Sequence, residues 1–189
     1  MPRIALCLFA AFLTLGSAAM AQSDLAGYAK SFIESRLDQV NVDDAEKKIY
    51  DNWKPSELTL SGDTIAWKGV GYNLKGVDGK FAGRRDNFKY LAKVADLAVP
   101  VEYQKASYGS DIFAIRIECF ATDCLQATGW RLSGSFNNND WKQLMDQAGD
   151  KPEVREEAYW YVKEERRAKS IAKALTLYLQ SNGAKERIF

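Results

Sequence analysis

The chain has no histidine among its 189 residues. That absence excludes Ser-His-Asp and Cys-His nucleophilic systems. It also removes the commonest ligand for a zinc or copper site. Cysteine is scarce, with Cys7, Cys119 and Cys124 the three present, and none of them forms the Cys-x-x-Cys spacing of a redox motif. An excess of one charge is missing too: 26 basic residues face 25 acidic ones, so there is no overall electrostatic footprint for nucleic acid or for an anionic membrane, and Arg84-Arg85 and Arg166-Arg167 are the candidates for a local basic patch. Gly69-Val70-Gly71 lacks the third glycine and the following helix of a phosphate loop. EF-hand spacing is absent as well. No catalytic, cofactor-binding or metal-ligating residue is assigned, and no cofactor is expected.

What is present begins with a leader. Arg3 supplies a positive start, an apolar run follows from Ile4 to Leu15, and Ala19-Met20-Ala21 offers small residues at a cleavage site. This is the order of a secretory signal peptide, residues 1–21, cleaved after Ala21. The run is too short to span a bilayer, which takes about 20 apolar residues. Cys7 lies near the start of the run instead of closing it, which argues against a lipid anchor. No later stretch approaches spanning length, so no transmembrane span is expected. The leader takes with it one basic and no acidic residue, and the remainder balances to zero. Residues 22–189 suit one globular domain, periplasmic or secreted.

Export permits a disulfide, and Cys119 and Cys124 are its candidates. Cys119 ends a strand-forming run from Asp111, and Cys124 opens a second from Cys124 to Trp130. A bridge across the neck of a hairpin meets the separation a disulfide needs.

The rest of the chain divides into four stretches. Residues 22–54 read as a helical segment: Ser23 caps a helix to about Val40, and a second runs from Asp44 to Trp53, with Asp43, Asp44 and Glu46 in its first turn and Pro55 ending it. Residues 57–136 carry the main strands, with Gly69 and Gly71 placed for a bulge or a bend in a curved sheet. Residues 137–157 read as an irregular insertion. Residues 158–182 supply a last strand and a C-terminal helix whose stripe is Ala168, Ile171, Ala172, Leu175, Tyr178 and Leu179, closed by Asn182-Gly183. The predicted fold is α+β: a bent antiparallel sheet or partly open barrel of about six or seven strands, packed by the C-terminal helix, with N-terminal helices.

The order of a strand ending in Cys119, a turn, a strand opening at Cys124, the aromatic strand Tyr159-Trp160-Tyr161 and a closing helix with Ala168, Ile171, Ala172 and Leu175 resembles small exported bacterial proteins with a pleckstrin-homology-like domain. The likeness spans roughly residues 57 to 181. It implies a bent sheet plugged by the helix, used for binding or scaffolding, with no catalytic residues to carry over.

Five tryptophans and nine tyrosines can line a groove or fill a core. Trp67 and Trp160 sit inside strand patterns and are read as core. Trp141 lies in a polar stretch and is the candidate partner contact. The pairs Arg84-Arg85 and Arg166-Arg167 are read as solvated surface, and the end Arg187-Ile188-Phe189 is open to an end-binding domain. The expected function is a non-catalytic binding or adaptor module of the bacterial periplasm, its partner a protein or peptide of the cell envelope. A carrier of an apolar small molecule or lipid and a carboxylate-dependent hydrolase are the alternatives.

Overall fold

The computed structural model describes residue 24 and residues 27–37, 40–44, 49–77, 80–106 and 111–187. The expected leader 1–21, its expected cleavage site and Ser23 lie outside these residues. Residues 27–34 are helical (α1) and bury Ala29 and Ile33.

From Val40 the chain is extended. Strands β1 (Val40–Asp44) and β2 (Ile49–Leu60) pair antiparallel, Val40 opposite Trp53 and Asp44 opposite Ile49. The helix expected from Asp44 to Trp53 is therefore strand at its described residues, 44 and 49–53. Ile49, Tyr50 and Trp53 suit either period over so short a run, and β1 on one side and β3 on the other settle it. Pro55 lies within β2, beside a register shift between Ser56 and Thr59 where Glu57 has φ 54°. A bulge is where a strand accommodates proline.

Strands β3 (Thr64–Val77) and β4 (Lys80–Lys93) pair without a register shift along their length. Of the bulge or bend expected at Gly69 and Gly71, the bulge is absent, and the register shift falls on β2. Gly69 instead makes room: a Cβ there would meet the Tyr90 ring at 3.2 Å. A 3₁₀ turn (Val94–Asp96) leads to β5 (Ala98–Val99), and β6 (Glu102–Lys105) and β7 (Ile112–Glu118) follow.

Then come β8 (Leu125–Phe136), α2 (Asn138–Gln147), β9 (Lys151–Arg155), β10 (Glu157–Lys163), α3 (Glu165–Ser181) and β11 (Lys185–Glu186). The stretch 137–157 is therefore ordered into a helix and a strand. Asn137 Oδ1 accepts from the Asp140 amide at 3.0 Å, a cap at the start of α2. Strand β9 is polar because it is an edge: Lys151, Pro152, Glu153 and Val154 are exposed, so no alternation marks it in the sequence.

The order β1-β2-β3-β4-β8-β9 makes one antiparallel sheet, open at both edges. The order β10-β7-β6 makes a second, and β11 pairs with β5 in parallel. The fold is α+β with mostly antiparallel strands and a C-terminal helix packed against them. Helix α3 buries the six residues of its expected stripe. Full burial of Ile171, Leu175 and Leu179 contributes roughly 1.5–3 kcal/mol each, before entropy is charged against it. They share one core with Ile65 and Trp67 of β3, Ile115 and Ile117 of β7, and Trp160 of β10. Trp67 and Trp160 meet edge to face at 5.6 Å, in the core as expected. Tyr178 Oη accepts the Gly62 amide at 2.8 Å and ties α3 to the β2–β3 turn.

Cys119 and Cys124 are bonded, with Cα atoms 5.6 Å apart. The bridge does not close a hairpin neck. Strand β7 belongs to the three-stranded sheet and β8 to the six-stranded one, so the disulfide staples the corner where the chain changes sheets. Among the described residues, no helix is long and apolar enough to cross a membrane.

Candidate functional site

Alternation along β4 sends Arg84, Asp86, Phe88, Tyr90 and Ala92 to one face. Pairing puts Arg131 of β8 opposite Asp86, and Glu153 and Arg155 of β9 line up with Ala127 and Leu125 of β8. Strands β3 and β4 run for 14 residues each and β10 for 7. The second sheet therefore covers only part of this face. The uncovered part is a cleft of about 600 Å³, walled by β4, β8 and β9 on one side and by Tyr159 and Tyr161 of β10 on the other.

Asp86 is the anchor. Its side chain is 5% exposed, against 41–42% for the two arginines that hold it. Arg131 grips it with two nitrogens, Nε at 2.9 Å from Oδ1 and Nη2 at 3.3 Å from Oδ2. Arg84 Nε stands 3.1 Å from Oδ2. Two guanidiniums so held are rigid donors with solvent-facing sides. The hydrogen bond it donates to Asp86, opposed by partial burial, holds the Arg131 guanidinium more firmly protonated than usual.

Arg155 is the third cation. It donates to Tyr90 Oη at 2.6 Å, pairs with Glu153, and lies 4.1 Å from the Phe88 ring centroid. Tyr90 stacks on Trp67 at 4.9 Å. Burial raises the Tyr90 phenol above its ordinary value, with Arg155 pulling the other way. Across the cleft Tyr159 and Tyr161 stack at 6.3 Å. Burial, then its hydrogen bond with Glu157, raises the Tyr159 phenol too. Glu157 is engaged by Arg116 Nε at 2.7 Å.

The lining is mixed. Guanidinium donors alternate with carboxylates and phenols, and the aromatic rings offer flat apolar faces. Such a wall suits a ligand that carries both donors and acceptors, such as a peptide. Both Asp86 oxygens are already taken by guanidiniums, Glu153 by Arg155 and Glu157 by Arg116. Among the described residues, no three acidic or cysteine side chains cluster as a metal site.

Of the residues singled out from sequence, Cys119 and Cys124 come together, but outside this cleft. Trp141 lies on α2, and its side chain is outside the described residues. Arg84, read as solvated surface, is partly exposed and also pairs with buried Asp86. Arg187, read as part of an open end, is bound to Glu118 at 2.6 Å and to the Cys119 carbonyl at 3.2 Å. Asp86, Arg131, Arg155 and Tyr159 carried no sequence signal of their own. The usable one was phase: Arg84 and Asp86 share the alternation of Phe88 and Ala92, so they point inward. No family model, curated protein or solved structure matches the chain.

Proposed function

We propose that the chain is an exported, non-catalytic binding or adaptor module of the bacterial periplasm. It takes a protein or peptide segment in the cleft between β4, β8, β9 and β10. One observation carries the reading: three guanidiniums and three phenols converge on one cleft, two of the guanidiniums fixed by a nearly buried Asp86. Preorganised donors on strands bind without first being ordered. The resemblance to pleckstrin-homology-like exported proteins supports the same class. The leader and the bonded cysteine pair support the address. A carrier of an apolar ligand needs space that Trp67, Trp160, Leu175 and Tyr178 occupy.

The test is capture from an envelope extract by the immobilised protein, in parallel with Arg131→Glu, Tyr159→Ala and, on the outer face of β4, Lys89→Ala. A protein held by the wild type and by Lys89→Ala, and lost by the two cleft variants, is expected. Capture indifferent to the cleft variants, or recovery of lipid alone, overturns the reading.

A further inference from the structure

A second surface shares no residue with the cleft. Helices α1 and α3 meet along a groove of about 260 Å³, with Tyr28, Ala29 and Phe32 on one side and Lys173, Ala174 and Leu177 on the other. Its lining is almost wholly apolar. Tyr28 is 71% and Leu177 52% exposed, large side chains for an unoccupied surface. The rim is cationic. Helix α3 carries Arg166, Arg167, Lys169 and Lys173 against Glu165 alone, and Arg166, Lys169 and Lys173 are exposed. Lys30, across the groove, sits 3.7 Å from Glu34. The whole chain has a formal charge of only +1, so this excess is local to the helix.

We propose that this face rests on an anionic lipid bilayer. Tyr28 and Leu177 enter the boundary between headgroups and acyl chains, and Lys169 and Lys173 lie at the phosphates. An apolar floor between cations is the pattern of an interfacial helix surface, and tyrosine is favoured at that depth. Charge complementarity selects the anionic bilayer over an apolar protein face, which leaves the lysines unmatched. The cleft stays open, so the module can hold its partner while lying on the membrane.

The experiment is co-sedimentation of the purified protein with vesicles of phosphatidylcholine, alone or with phosphatidylglycerol. An N-terminal read of the preparation first excludes material that retains the apolar leader. Binding to the anionic vesicles is expected, weak on phosphatidylcholine alone, and falling as salt is raised. Lys169→Gln with Lys173→Gln lowers the partition roughly 25-fold, from ~1 kcal/mol per charge near such a surface. Leu177→Ser lowers it several-fold. Both variants change exposed positions, and unchanged melting curves show them folded. Equal binding of wild type and the double variant, equal binding to both vesicle types, or no binding to the anionic vesicles overturns the proposal. So does capture of a protein through this face with no affinity for lipid.

Discussion

Gly129→Ala isolates one contact on which the cleft depends. Gly129 of β8 pairs with Phe88 of β4 and with Lys151 of β9, two residues from the Asp86–Arg131 pair. A Cβ at this position would lie 1.9 Å from the Asn87 carbonyl oxygen, 2.7 Å from Phe88 Cα and 2.9 Å from Asn87 C. All three atoms are backbone, so no side chain can turn aside. Strand β4 has to retreat by on the order of 1 Å, an overpacking that costs roughly 1–3 kcal/mol. Ladder hydrogen bonds stretched by that retreat add about 1 kcal/mol. The expected loss is about 3 kcal/mol, a fall in Tm of about 6–12 °C for a domain of this size. Gly149→Ala is the comparison: a Cβ there meets nothing within 4 Å. It should stay within about 0.5 kcal/mol of wild type. Thermal and urea unfolding, followed by circular dichroism, read both. A Gly129→Ala protein that melts within about 2 °C of wild type would show that β4 and β8 are less closely apposed than described, and the geometry of the cleft would fall with that.

Four further outcomes follow from the same contacts. Reduction, or Cys119→Ser with Cys124→Ser, should cost about 2 kcal/mol by loop entropy at a separation of 5; a thiol assay on the exported protein should find none free, and a positive one refutes the bridge. The phenols of buried Tyr178 and of half-buried Tyr90 and Tyr159 are all raised above their ordinary value near 10, chiefly by desolvation. Their folded forms keep a proton that the unfolded chain gives up, so stability is intact below that value and falls as pH rises through it. Tyrosine absorbance should therefore rise in two stages at alkaline pH, the second with unfolding, and a single stage refutes it. Arg131→Ala should cost about 1–2 kcal/mol in urea, discounted because the guanidinium is partly solvated and Arg84 remains on Asp86; Arg131→Lys should recover only part, since the two-nitrogen grip is lost, and full recovery refutes the role of that grip. Trp141→Ala, at the residue proposed as a partner contact, should leave Tm nearly unchanged, whereas a large drop places it in the core.

The C-terminal helix was legible because its evidence is local. Six apolar residues at helical spacing and Asn182-Gly183 at its end leave one reading, and those six are buried. The runs 111–119 and 158–162 were readable as strands from their strand-forming residues, and β7 and β10 lie there, β10 alternating against the core. Partners in space decided the rest. Residues 49–53 fit a helix or a strand, and pairing with β1 and β3 made them a strand. Strand β9 shows no period because an edge strand buries little. The spacing of Cys119 and Cys124 allowed a bridge, but only the assignment of β7 and β8 to different sheets made it a corner staple. The cleft was the least legible of all. Residue types at 84, 86, 131, 155 and 159 say nothing of one another until register places them on a shared face, because period 2 gives each strand two faces and the sequence does not number them. Composition by itself excluded histidine-dependent chemistry; where the arginines and tyrosines converge was a decision of the tertiary structure.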